Sequence, residues 1–212
     1  MSGAITDDYG WGSETDHGAA DYLNPAICAL VAKTGARDIL DAGCGGGALC
    51  ADLHARGYQV VGVDGDAKGI EIARTTHPGI RFEVARFEDS PGAIGGNDGG
   101  YDCVVSTEVV EHLYAPQELA RFCFEALRPG GTLIITTPYH GYLKNLALSV
   151  INKWDFHHHP LWHGGHIKFW SPPTLGKLLT DAGFELTGFS GVGRIPYLWK
   201  SMVLTARRPT TA

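Results

Sequence analysis

The stretch "LDAGCGGGALC", Leu40 to Cys50, constrains the fold of this chain more than any other. Asp41 and then Gly43, Gly45, Gly46 and Gly47 follow a short apolar run. So much glycine is unfavourable inside a helix or a strand, so the segment reads as a tight turn whose backbone comes close to something. Arg37 to Asp41, before it, has the length of a short buried strand. "ALCADLHARG", after it, reads as a helix ending at Gly57. Gly43, Gly45 and Ala48 fit the G-x-G-x-x-G/A spacing, and a second acid, Asp64, follows about 20 residues later, where a ribose hydroxyl would be bound.

The alternation continues along the chain. "YQVVGVD" is a second strand, "DAKGIEIARTTH" a helix capped by Asp66, and "IRFEVA" a third strand. After the loop "EDSPGAIGGNDGG" come a fourth strand, "YDCVVSTE", a helix, "PQELARFCFEAL", the turn "RPGG" and a fifth strand, "TLIITTP". Ahead of them, Asp21 to Ala32 carries Leu23, Ile27, Leu30 and Val31 on one helical face. This order predicts an α/β fold with a doubly wound parallel sheet, whose ligands bind at the carboxyl ends of the strands. Asp41, Asp64, residues 85–89, residues 107–112 and Pro138 all fall at those ends.

An aromatic- and histidine-rich insert, about 139–170, follows the fifth strand. It is long for a connection, which predicts a lid or substrate-binding segment. Tyr142, Trp154, Phe156, Trp162 and Trp170 offer flat surface for an aromatic acceptor, a satellite core or a homodimer contact. "SPPTLGKLLTDAGF" is then a helix started by Ser171 and Pro172, and "ELTGFSGVG" and "YLWKSMVLTARR" are two final strands.

Charge removes one class of partner. The net charge is −6 and no basic run exceeds Arg207-Arg208, so a nucleic-acid partner is not expected. No stretch reaches the roughly 18 apolar residues of a membrane helix, and the polar, acidic opening is unlike a secretory signal. Cys28, Cys44, Cys50, Cys103 and Cys123 form no C-x-x-C pair, so they read as free thiols of a cytoplasmic protein rather than zinc ligands.

A glycine turn alone serves a nicotinamide dinucleotide as well as an adenosyl cofactor. Asp41 weighs against the dinucleotide, because a carboxylate beside the turn repels a pyrophosphate and attracts an amino group or a sulfonium. A NAD-type oxidoreductase, an enzyme that uses an adenosyl cofactor and a non-catalytic cofactor-binding protein all stay open at this point.

"ILDAGCGGGALC", "VVGVDGD", "YDCVVSTEVVEHL" and "LRPGGTLIITTP" resemble successive motifs of class I S-adenosylmethionine-dependent methyltransferases. "EVVEHL" and "HIKFWSPPTLGKLLTDAGFEL" are similar to the ubiquinone-biosynthesis O-methyltransferase branch, which methylates catechol-type phenols. The resemblance implies a Rossmann-like, seven-stranded, mainly parallel sheet with one antiparallel strand. Residues 1–35 would form an N-terminal helical cap on a methyltransferase domain of 36–212. By the same resemblance, Asp41, Gly43, Cys44 and Gly45 hold the amino-acid end of S-adenosylmethionine. Asp64 binds its ribose hydroxyls, with Gly65 also in contact with the cofactor; Phe87 and Glu88 hold its adenine, and Thr107 and Glu108 lie beside the methionine end. The implied acceptor is a small molecule with a phenolic or catechol hydroxyl, with N- or C-methylation as the alternative.

A phenol, with a pKa of about 10, must lose its proton to accept a methyl group. Glu108, Glu111, His112, His140, His157–His159, His163 and His166 are the candidate bases, with Glu111, His112 and His166 placed as catalytic. Glu108, Glu111 and His112 have the i, i+3, i+4 spacing of one helical face, which suits Mg²⁺ or another divalent metal ion. Three consecutive histidines diverge, so His157–His159 are not expected to share an ion.

Overall fold

Seven short apolar strands and the helices between them assemble in the order β3-β2-β1-β4-β5-β7-β6 in the computed structural model. The structure describes residues 17–94, 99–155, 161 and 165–210. Phe156, His157–His159, Trp162 and His163, named above as candidates, lie outside the described residues.

The strands are β1 (Asp38–Ala42), β2 (Gln59–Asp64), β3 (Arg81–Val84), β4 (Tyr101–Ser106), β5 (Leu127–Pro138), β6 (Glu185–Val192) and β7 (Ser201–Arg207). β1 to β5 pair in parallel, and β7 runs antiparallel to both β5 and β6. The sheet is therefore seven-stranded and mainly parallel with one reversed strand. β4 is buried at all six positions, as expected of a central strand covered on both faces.

The helices are α1 (His17–Val31), α2 (Ala48–His54), α3 (Ala67–Thr76), α4 (Pro116–Ala126), α5 (Tyr142–Val150) and α6 (Pro172–Asp181). Local chemistry sets several of their ends. Asp66 accepts from Lys68 N at 2.9 Å and opens α3, while Ser171 and Thr174 form a reciprocal cap at α6. Two apolar layers lie on the faces of the sheet: α4 and α6 contribute Phe122 and Leu179 to one, and α1 and α2 contribute Ile27 and Leu53 to the other.

Three local expectations change. "RPGG" is not a turn ahead of the fifth strand. β5 starts at Leu127, paired with Tyr101, and the register shifts before Cys103 meets Thr132. The last strand starts at Ser201, and Tyr197 stands outside it with φ +66. Residues Val110–His112 form a single 3-10 turn, not an α-helix. The turn matters most, because the predicted metal trio depended on a helical face.

Candidate active site

The carboxyl ends of β1, β2 and β4 supply a row of acidic groups, Asp41, Asp64, Glu108 and Glu111, and β5 adds the hydroxyls of Thr136 and Thr137. Asp41, on β1, is 1% exposed. Its Oδ2 accepts from Cys50 Sγ at 3.2 Å, and its Oδ1 is buried with no hydrogen-bond partner among the described residues. Burial pushes the carboxyl up to about 7, with the Cys50 contact opposing and nearby Asp64 adding to the rise. A buried carboxylate oxygen without a donor is a poor arrangement for the free chain and a ready one for a cationic ligand.

The glycine turn is stitched to β2 from both sides. Gly43 N and Cys44 N donate to Val63 O at 2.8 and 3.0 Å. Gly45 N donates to Asp64 Oδ2 at 2.9 Å, while Asp64 Oδ1 accepts from Asp66 N at 2.9 Å. Asp64 thus braces the turn as well as facing the strand ends, and burial raises its pKa above the ordinary value. A Cβ on Gly65, next to it, would approach no atom closer than 4.0 Å, so the backbone there is open. Cys44 is half-buried.

Some of the glycine content serves internal packing. A Cβ on Gly43 would lie 2.4 Å from Val109 Cγ2, and one on Gly47, where φ is +83, would lie 2.7 Å from Phe82 Cζ.

Phe87 and Glu88 follow β3. Phe87 packs edge-on against Phe122 of α4, with ring centroids 5.4 Å apart, and Glu88 is exposed. Sequence reading missed Arg121. Its Nη2 donates to Phe87 O at 2.8 Å and Glu88 O at 3.1 Å, while Glu118 and Glu125 hold its other nitrogens. The i, i+3, i+7 spacing of Glu118, Arg121 and Glu125 on α4 could have flagged the ion pairs, but nothing in the sequence points Arg121 at that loop.

Thr107 and Glu108 close the end of β4. Glu108 adopts φ +53, a conformation uncommon outside glycine and typical of functional strain. Its Oε1 accepts from Thr136 Oγ1 at 2.8 Å and its Oε2 from Ser201 Oγ at 3.2 Å. The Ser201 hydroxyl also meets Tyr22 OH at 2.8 Å, so α1, β4, β5 and β7 share one polar network. Burial pushes the Glu108 carboxyl up to about 7.

Glu111 is 1% exposed. Its Oε2 accepts from Thr137 Oγ1 at 3.0 Å, and its Oε1 is buried with no hydrogen bond among the described residues. Burial, with Glu108 nearby, raises its pKa well above the ordinary value. His112 Nε2 lies 4.0 Å from Glu111 Oε1, and the His112 and His166 rings stand at 68° with centroids 4.9 Å apart. Backbone bonds explain the meeting: Ile167 N and Lys168 N both donate to Glu111 O, at 3.0 and 3.1 Å.

One ligand atom from each of Glu111, His112 and His166 lies within 4.8 Å of the others. Glu108 does not join them. The chain turns sharply at Glu108 before the 3-10 turn, and its carboxylate is committed to Thr136 and Ser201. The predicted trio is thus replaced by one in which His166 stands where Glu108 was expected.

In the insert, His140 packs on Phe169 with centroids 5.0 Å apart. Trp170 is buried in the main core and Tyr142 is exposed, so these two do not share one lining. Among the described residues no helix is long and apolar enough to cross a membrane, and all five cysteines are free.

A family described as "Methyltransferase domain" matches residues 18–188. A ubiquinone biosynthesis O-methyltransferase from Chromobacterium violaceum is 28% identical over 195 residues, 88% of this chain and 82% of that protein. A mitochondrial protein of the same name from Mus musculus is 38% identical, over 75% of this chain but only 44% of its own length. Among solved structures, an S-adenosylmethionine-dependent methyltransferase from Mesorhizobium loti superposes with a TM-score of 0.66 at 20% identity, covering 87% of this chain and 96% of that one.

Proposed function

The chain belongs to the methyltransferase-domain family and is an S-adenosylmethionine-dependent methyltransferase; from that premise we propose that its acceptor is a small molecule methylated on a phenolic or catechol-type hydroxyl. The observation that carries this reading is the Glu111–His112–His166 cluster, which puts two imidazoles and a buried carboxylate at the end of β4. The O-methyltransferase names of the relatives point the same way.

S-adenosylmethionine supplies a methyl group on a sulfonium, which leaves as a neutral thioether and needs no acid. The protein's task is to bind, align and manage one proton. Asp41, with its unpartnered Oδ1, fits the cationic amino-acid end. Asp64 fits the ribose, with Gly65 open beside it, and the Phe87–Glu88 backbone fits the adenine. Glu108 lines the methionine end. His112 or His166 takes the acceptor's hydroxyl proton, and Glu111, fixed by Thr137, stabilises the resulting imidazolium.

The same three side chains fit a divalent ion. A carboxylate oxygen and two imidazole nitrogens form a borderline donor set, and the buried Glu111 Oε1 lacks a donor. Glu111, His112 and His166 would hold the ion, which would lower the pKa of an acceptor oxygen.

Turnover of S-adenosylmethionine with a panel of phenols, catechols and amines, before and after exhaustive chelation, tests both statements. Methylation of hydroxyl acceptors, lost in the variant His166→Ala with cofactor binding intact, is expected. Turnover with amines alone would overturn the acceptor assignment. Full activity after chelation would remove the metal.

A further inference from the structure

One arginine of α4 holds three consecutive backbone carbonyls. Arg121 Nη2 donates to Phe87 O at 2.8 Å, Glu88 O at 3.1 Å and Asp89 O at 3.4 Å. The guanidinium is itself fixed. Its Nε donates to Glu118 Oε2 and its Nη1 to Glu125 Oε2, both at 2.9 Å, from one turn to either side on the same helix. Two carboxylates thus set the plane of the fork and leave its third nitrogen for the loop after β3. The ion pairs alone would be satisfied along the helix surface, and the carbonyl contacts are an addition they do not require.

This grip fixes which way the loop faces. In a trans peptide the C=O and the N–H of the next residue point in opposite directions. With Phe87 O turned to Arg121, the Glu88 N–H is turned away from α4. Glu88 N donates to no other described residue. The donors on either side are used within the loop: Asp89 N donates to Arg86 O at 3.1 Å and Arg86 N to Asp89 Oδ2 at 3.2 Å, which closes residues 86–89 as a tight turn. Phe87 is anchored from the same helix, edge-on to Phe122, the residue after Arg121.

The Glu88 donor stands at the ligand edge of the sheet. Ala85 N donates to Asp64 O at 3.0 Å, so the loop starts from the acid proposed for the ribose. A Cβ on Gly65 would lie 4.0 Å from both Ala85 O and Arg86 Cγ, so the open backbone at Gly65 borders the same loop. A base attached to a ribose at Asp64 has this loop as its neighbour. Adenine offers a ring nitrogen, N1, that accepts a hydrogen bond. Hypoxanthine carries a hydrogen there and would set a donor against a donor. A backbone N–H of fixed direction separates the two, because the wrong base leaves it unpaired.

We propose that Arg121 is a positioning residue for the cofactor's base: it holds the Phe87, Glu88 and Asp89 carbonyls against α4 and so presents the Glu88 N–H as the donor that selects adenine over hypoxanthine. The inference rests on the methyltransferase reading given above and on its adenine seat at Phe87 and Glu88.

Isothermal titration of S-adenosylhomocysteine and S-inosylhomocysteine against the wild-type chain and Arg121→Met is the experiment. The wild type should bind the adenine compound about tenfold or more tightly, the scale of one hydrogen bond made against one donor left unpaired. Arg121→Met should lower that ratio to about twofold, since the Glu88 N–H then loses its fixed direction. A merely structural arginine would lower the thermal midpoint and weaken both compounds alike, so an unchanged ratio in the variant overturns the inference. A wild-type chain without a preference overturns it too. The Arg121 side chain is 36% exposed, so the variant is expected to fold. Should it not, Glu118→Gln combined with Glu125→Gln, which loosens the guanidinium without removing it, must lower the ratio, and an unchanged ratio there overturns the inference equally. The Glu88 backbone amide, followed by NMR, separates these results from failure of the premise. S-adenosylhomocysteine that binds the wild type without moving that resonance puts the base elsewhere and overturns the inference with its adenine seat. A wild-type chain that binds no S-adenosylhomocysteine removes the methyltransferase reading itself.

Discussion

Asp41 shows how one side chain can be a liability in the free protein and an asset with ligand bound. Its folded pKa of about 7 lies above the ordinary 3.8. Between those values the folded chain keeps a proton that the unfolded chain releases. The stability from the protonated form is therefore full below about pH 4 and is lost as pH rises towards 7. Above pH 7 the buried charge costs on the order of 2–4 kcal/mol. Asp41→Asn should raise the thermal midpoint of the free chain by roughly 5–10 °C at pH 8 and much less at pH 5. It should also weaken S-adenosylhomocysteine, because an amide cannot neutralise a cation. Equal midpoints for variant and wild type at both pH values would show that Asp41 is not desolvated as the structure has it. The presence of the acid was legible in "LDAG", but its empty Oδ1 was not, since that depends on which neighbours turn towards it.

The glycine turn makes its prediction at the level of the element. Gly47 and Gly57 both have positive φ, but only Gly47 lies against a neighbour, Phe82 of β3. Gly57→Ala should cost about 1 kcal/mol, the strain of a left-handed alanine. Gly47→Ala adds overpacking against Phe82 and should cost about 2–4 kcal/mol, read as a shift in the urea midpoint. Equal costs would mean that the ring yields and the turn is not held against β3. The segment after β4 gives the opposite lesson. Glu108, Glu111 and His112 have helical spacing, yet the chain makes only a 3-10 turn there. Spacing reports a shared face only if the helix forms, and Glu108 leaves the helical region at φ +53.

For the whole molecule, ligand binding and folding are linked. S-adenosylhomocysteine at about 100 times its dissociation constant should add about 2.7 kcal/mol. In a domain of this size that raises the thermal midpoint by roughly 5–10 °C. NAD at the same concentration should leave it unmoved, because Asp41 faces the turn where a pyrophosphate would sit. A shift with NAD and none with S-adenosylhomocysteine would reverse the cofactor assignment.

Composition, periodicity and turn chemistry were enough, by themselves, for the α/β class, the order of seven strands along the chain and the carboxyl edge as the candidate site. Each of those signals is local: a run of five apolar residues, a glycine cluster, a capping Asp66 or Ser171. Asp41 and Asp64 were readable for the same reason, as acids standing at strand ends. The reversed β7 came from resemblance alone, because the direction of a strand leaves no mark in its hydrophobic pattern. Only the tertiary structure could bring His166 to Glu111 and His112 across more than fifty residues, through two backbone bonds to Glu111 O. Only it could aim Arg121 at the carbonyls of Phe87 and Glu88. Those meetings depend on long-range packing and on desolvation. Neither is encoded in the spacing of residues along the chain, because both arise when distant segments exclude water from the same place.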